Sequence, residues 1–262
     1  MSTPEDIEAL LDHPVIAERY FFPRRAHLAD PFIVDRDGVE LHCARLEANS
    51  DGPTLLHFHG NGEVVGDWLE DFGGALKAEG IGSVFGEYRG YGGSTGTPRL
   101  GAQLDDALAI ARANGVDPSK MIVYGRSVGS IYALHVAANL PVAGLVIESG
   151  IADVLERLAL RVRPAELGTD DAGLLAAIAA HLDHRSKMQS TSCPVQIFHA
   201  RGDDLVPPYH AQRLAEWAGE RGSLRLFERG DHNTIHWANG PALMSELVAF
   251  CKRCVPSPGA NP

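Results

Sequence analysis

The run KMIVYGRSVGSIYALHVAANL, residues 120–140, constrains the fold more than any other stretch. A buried-type β pattern, KMIVYG, runs straight into Gly125-Arg126-Ser127-Val128-Gly129 and then into a helical pattern over 128–140. A strand that turns at once into a helix is the opening of a βαβ unit. The small residues at 125 and 129 let the chain turn sharply, because side chains there would collide with the strand and the helix. The same turn leaves the Ser127 hydroxyl exposed at a helix N-terminus. A small-residue turn packed for its own sake has this pattern too, so the rest of the chain must decide.

The alternation continues. Strand-like runs occupy 54–60, 81–90, 142–150, 193–203 and 223–230, and helical runs fit 67–80, 99–115, 208–219 and 240–254. Residues 32–48 read as a hairpin around Asp37-Gly38. This predicts an α/β fold with a mostly parallel central sheet and helices on both faces. The 262 residues suit one domain, 1–262, with no internal repeat or dividing linker. One region breaks the rhythm: 151–192 is helical in pattern and too long for an ordinary connection. Between two sheet strands it is expected to be a short helical cap insertion.

Charge narrows the partners. Lys and Arg number 23 against 34 Asp and Glu, and 23 − 34 gives −11. That balance argues against nucleic acid and anionic membrane surfaces. No uninterrupted apolar run reaches about 18 residues, so no membrane span is expected. The N-terminus, MSTPEDIEALLDHPVIAERYFFPRR, is not patterned as a signal peptide, and VPSPGANP at the other end reads as a frayed tail. Four cysteines, at 43, 193, 251 and 254, make no dense disulfide framework, which favours a reducing cytoplasmic setting. Cys251 and Cys254 form a lone C-x-x-C whose thiols share a helix face, so no metal site is assigned.

In parallel sheets the loops after the strands carry the chemistry. Ser127 follows one strand. The strand VQIFHA runs into Asp203-Asp204, and LRLFERG runs into Asp231-His232-Asn233. A serine needs a base, and the base needs an orienting acid. Serine, acid and histidine occur here in an order known for such triads. After the early strand, His59-Gly60-Asn61-Gly62 lets backbone amides approach a substrate oxygen. The Asn61 amide is favoured, with Gly62 second, and the Val128 amide is the other oxyanion donor. His57 reads as a strand residue packed against loops, and His59 as a buttress of its loop.

HFHGNGE, EYRGYGGSTGTP, YGRSVGS, HARGDDLVPPYHAQRLAE and GDHNTIHW occur in that order across residues 54–237. As a set they resemble the α/β-hydrolase superfamily, in the branch carrying HGN, Y-R-G-Y-G-x-S, G-x-S-x-G, H-G-x-x-D-x-x-V-P and G-H-N. The resemblance implies an α/β-hydrolase fold with Ser127 as nucleophile and His232 as general base and acid. It implies Asp203, four residues after His199, as the orienting acid, with Asp204 as the other candidate. It also suggests that Tyr88-Arg89-Gly90-Tyr91-Gly92 packs near the oxyanion loop, although a turn supporting the sheet edge is the simpler reading. Two positions depart from the pattern: Ala200 stands where Gly is usual, and Asp231 precedes His232.

The expected activity is serine hydrolysis of an ester-like acyl bond through an acyl-enzyme, foremost a carboxylesterase acting on a small or medium apolar ester. It needs a small-molecule acyl substrate and no cofactor. Thioesterase (deacylase) and peptidase or amidase activities use the same triad. A catalytically silent receptor or scaffold of the same fold would be expected to have lost a triad member. Haloalkane and epoxide hydrolases use an Asp nucleophile, which Ser127 speaks against. The apolar run LLAAIAAHL within 151–192 suits an acyl chain or ordinary helix packing. Arg157, Arg161 and Arg163 read as solvated charges, with contact to a substrate carboxylate as the alternative.

Overall fold

The computed structural model describes residues 9–48 and 51–256. The first eight residues and most of the C-terminal tail, 257–262, lie outside them. A short helix α1 (Pro14–Tyr20) precedes a hairpin of β1 (Phe32–Arg36) and β2 (Val39–Leu46). Asp37 and Gly38 turn the hairpin with φ of 54° and 77°, the pair of positive values that a two-residue turn requires to match strand twist.

Strands β3 (Thr54–Phe58), β4 (Gly82–Gly86), β5 (Met121–Arg126), β6 (Gly144–Glu148), β7 (Val195–Ala200) and β8 (Gly222–Phe227) complete one eight-stranded sheet. Its order is β1-β2-β4-β3-β5-β6-β7-β8. The first two pairings are antiparallel and the others parallel. Every residue of β4, β5, β6 and β7 is buried, as expected of central strands covered on both faces. Alternation sorts them: Leu56, Val123, Leu145 and Ile197 enter one core, whereas Leu55, Ile122, Val146 and Phe198 enter the other.

Helices α2 (Gly74–Ala78), α3 (Ala102–Ala113), α4 (Gly129–Asn139), α8 (Tyr209–Ala218) and α9 (Ile235–Cys254) flank the sheet. Between β6 and β7, residues 151–192 hold α5 (Val154–Ala159), a 3₁₀ turn (Pro164–Leu167), α6 (Asp171–His181) and α7 (His184–Ser190). Because β3 to β8 run parallel, their carboxyl ends share one edge. The segments after β3, β5, β7 and β8 carry Asn61, Ser127, Asp203 and His232 to that edge.

Three boundaries differ from the sequence reading. The strand expected over 81–90 ends at Gly86, because the following residues leave the ladder to form the Tyr88–Gly92 loop. The helix expected over 67–80 is built as a 3₁₀ turn (Val65–Trp68), a π turn (Leu69–Gly73) and only then α2. The last helix begins at Ile235 rather than near 240 and runs through Pro241. Its start is set by Asp231, whose Oδ1 accepts from the Asn233 and Thr234 amides, both at 2.9 Å. That turn precedes the helix, which therefore begins six residues ahead of Pro241.

Candidate active site

Ser127 sits at φ 52°, in the left-handed region, immediately after β5. Such a conformation costs a non-glycine residue about 1–2 kcal/mol, and neighbouring hydrogen bonds hold it. Its amide donates to the Glu148 carbonyl at 2.9 Å, and its own carbonyl accepts from the Ser130 hydroxyl at 2.6 Å. The flanking glycines are sterically required. A Cβ at Gly129 would lie 2.1 Å from the Phe58 carbonyl oxygen, and one at Gly125 would lie 2.4 Å from the Gly129 oxygen. The turn is thus wedged against β3, which brings the oxyanion-loop candidates to the serine.

The structure brings Ser127, His232 and Asp203 into one hydrogen-bonded chain. His232 Nε2 lies 2.9 Å from Ser127 Oγ, and Nδ1 lies 2.8 Å from Asp203 Oδ2. Asp203 is an acceptor only when ionised, so it fixes the proton on Nδ1 and leaves the Nε2 lone pair facing the serine hydroxyl. All three side chains are nearly buried. Burial by itself would raise the Asp203 carboxyl. Hydrogen bonds from His199, His232 and the Val206 amide outweigh it and hold the carboxyl well below the usual range. The Val206 amide donates to Oδ1 at 2.7 Å. Asp204, by contrast, is exposed.

Asn61 is held from three sides. Its Oδ1 accepts from the Phe22 amide at 2.9 Å and the Tyr91 hydroxyl at 2.8 Å, and its Nδ2 donates to the Tyr20 carbonyl. Among the described residues, neither the Asn61 amide nor the Val128 amide donates to another protein group. Both residues line a cavity of about 150 Å³ with Ser127 and His232. Tyr88 donates to the His59 carbonyl at 2.6 Å. The Tyr88–Gly92 loop therefore does more than support the sheet edge: its two tyrosine hydroxyls hold the His59–Asn61 segment. His57 is packed against Trp68, Phe72, Phe85 and Tyr124 and faces no reacting group.

Sequence reasoning missed a buried ion network beneath the serine. Arg126, the variable residue before Ser127, donates to Glu63 Oε1, to Glu148 Oε1 at 3.1 Å and to the His232 carbonyl at 2.7 Å. Burial would raise the Glu148 carboxyl, but His236, Arg126 and the Tyr124 hydroxyl pull it down to about 2. Glu63 Oε2 accepts from the Gly60 amide at 2.7 Å. One guanidinium thus links the oxyanion loop, the elbow and the histidine loop. The only signal in the sequence is a charged residue closing each of two apolar strands, MIVYGR and GLVIE. The exposed Asp231 is spent on its own turn and not on the histidine ring.

The same cavity is walled by Tyr20, Phe22, Ile151 and Leu205, with Arg157 and Arg161 beside them. Burial pushes the Tyr20 hydroxyl up to about 12 against the pull of those two arginines. A wider groove of about 620 Å³, between Trp68 and Phe72 on one side and Trp237 and Met244 on the other, adjoins it across Arg126 and Asn233. Among the described residues no cluster of three or more His, Cys, Asp or Glu is arranged to hold a metal ion. Nor is any helix among them long and apolar enough to cross a membrane.

No protein-family model matches the chain. The alpha/beta hydrolase domain-containing protein WAV2 of Arabidopsis thaliana is 24% identical over 253 residues, which cover 89% of this chain and 82% of that protein. Lysophosphatidylserine lipase ABHD12 of Danio rerio is 29% identical over 194 residues, 67% of this chain and 50% of the relative. Among solved structures, an esterase from Exiguobacterium antarcticum superposes with a TM-score of 0.66 at 18% identity, over 85% of this chain and all of the other.

Proposed function

We propose that this chain, which belongs to the α/β-hydrolase superfamily, is a serine hydrolase that cleaves an ester-like acyl bond through an acyl-enzyme. The observation that carries the reading is the uninterrupted hydrogen-bonded chain from Ser127 Oγ through His232 to Asp203. His232 Nε2 takes the hydroxyl proton as Ser127 attacks the carbonyl. Asp203 remains ionised and stabilises the imidazolium that forms. The Asn61 and Val128 amides receive the oxyanion, where one donor is worth about 10²–10³ in rate. His232 then protonates the leaving group, and water enters by the same steps in reverse to release the acid and regenerate Ser127.

The apolar walls and modest volume of the cavity favour a small or medium apolar acyl part, and hence carboxylesterase activity. Thioesters and amides fit the same chemistry, with a lipid ester suggested by the named activity of the Danio rerio relative. In this reading residues 151–192 are a cap, because Ile151, Arg157 and Arg161 from that segment wall the cavity. Labelling with a fluorophosphonate tests the proposal. A single adduct mapped to Ser127 and absent from Ser127→Ala is expected. A folded protein that takes no label and cleaves no p-nitrophenyl ester would instead be a silent receptor.

A further inference from the structure

Helix α5 sorts its charges. The two carboxylates at its start are engaged on the side of α8: Glu156 accepts from the Tyr209 hydroxyl and lies 3.5 Å from His210 Nε2, and Asp153 caps the helix and lies 3.7 Å from Arg213. Arg157 lies in α5, and Arg161 lies two residues past its last residue, Ala159. Both line the Ser127 cavity. Among the described residues neither has a carboxylate partner. Arg161, an exposed residue, lies over the Phe22 ring at 4.9 Å, which orients its guanidinium at the cavity wall without neutralising it. The third arginine in the cavity, Arg126, is already paired with Glu63 and Glu148. Among the described residues no Asp or Glu side chain lines the cavity.

A protein of net charge −11 has therefore placed two cations without a carboxylate partner on the wall of its serine cavity. Uncompensated like charges side by side repel and gain nothing for folding. They become favourable when an oxyanion bridges them, since guanidinium groups hold carboxylate and phosphate in forked, charge-assisted hydrogen bonds.

We infer that the substrate is an ester bearing an oxyanion, a carboxylate or a phosphate, close to the scissile carbonyl, and that Arg157 and Arg161 are the residues that select it. The inference rests on the serine-hydrolase reading and narrows it: the apolar walls take the chain, and the arginines take the charge. Only non-covalent recognition is added to the reaction above.

Two matched pairs of esters test this. For a carboxylate on the acyl side, p-nitrophenyl hydrogen adipate is compared with p-nitrophenyl heptanoate. For a phosphate on the alcohol side, octanoyl lysophosphatidic acid is compared with monooctanoylglycerol. In at least one pair the wild type should prefer the anionic ester in kcat/KM by about tenfold or more, the scale of one charge-assisted contact. That ratio should collapse in Arg157→Gln/Arg161→Gln, return in large part in Arg157→Lys/Arg161→Lys, and shrink with added salt. The pair that responds tells carboxylate from phosphate. Turnover of the neutral esters with no anionic preference in either pair would overturn the inference while leaving the hydrolase reading intact. So would a preference that the Gln variant keeps. Failure to cleave any of the four, with Ser127 unlabelled, would overturn both.

Discussion

Two of the buried acid–histidine pairs among the described residues are nearly the same length, and they are arranged in opposite ways. His232 meets Asp203 at 2.8 Å, and His59 meets Glu87 at 2.7 Å. The difference lies on the far nitrogen. His232 turns it to a hydroxyl, which offers a proton, so the ring keeps a lone pair. His59 turns it to the Gly60 carbonyl at 2.8 Å, which only accepts. With acceptors on both sides His59 needs a proton on each nitrogen, and a buried imidazolium results. Burial opposes that charge, but the Glu87 carboxylate, its hydrogen bond and the Gly60 carbonyl prevail and raise the His59 pKa above 6.5. One histidine is arranged as a base, and the other pins the loop that carries Asn61. What the far nitrogen faces, rather than burial or an acid partner, separates the two.

The comparison breaks most sharply on the acid. Asp203→Asn should lower kcat by about 10⁴, because the amide no longer fixes the Nδ1–H tautomer. Asp204→Asn, at an exposed position, should stay close to wild type. Steady-state kinetics of the two variants decide the assignment, and the reverse outcome would transfer the role to Asp204.

Next is the pin. His59→Gln leaves Glu87 buried without its cation, and loss of one member of a buried pair costs roughly 3–5 kcal/mol. Urea midpoints should register that loss first, with kcat of the folded fraction much less affected than in Asp203→Asn. If His59→Gln removed activity at unchanged stability, the two histidines would not differ as described.

The pH dependence sharpens the contrast. His59 has its pKa raised by folding, so its contribution to stability is full below about pH 6.5 and is lost as pH rises through the higher folded value. The wild type should lose stability on the alkaline side of pH 6.5 more steeply than His59→Gln does. Imidazole NMR shifts of the wild type should show this ring still cationic above that pH.

The network under the elbow differs from the His59 pair in the pH range where it acts. Glu148 is depressed from 4.5 to about 2. Its share of stability is therefore present above pH 4.5 and disappears as pH falls toward 2. Acid denaturation followed by circular dichroism reads this loss. Glu148→Gln should flatten the slope between pH 4.5 and 2.

Much of the fold is legible in the sequence because it is written in local periodicities. Runs such as MIVYG and GLVIE can be satisfied only as strands covered on both faces, and the two glycines of the elbow are required by contacts under 2.5 Å. Order along the chain, together with the position of each group after a strand, is enough to nominate Ser127, His232 and an acid at 203 or 204. The helix boundary at Ile235 is not legible in the same way. It depends on a side-chain turn at Asp231 that outweighs the usual placement of a proline at a helix start.

The sequence alone settles most of the strands and the larger flanking helices, the sharp turn at Ser127 and the chain order of the three site groups. The tertiary structure alone decided which carboxylate reaches His232, that Tyr88 and Tyr91 hold the oxyanion loop, that Arg126 joins three loops, and that Arg157 and Arg161 face the cavity. Periodicity and turn chemistry act between residues a few positions apart. Hydrogen-bond direction and charge pairing link residues as distant as Arg126 and His232, and those depend on where the folded sheet brings its strand ends.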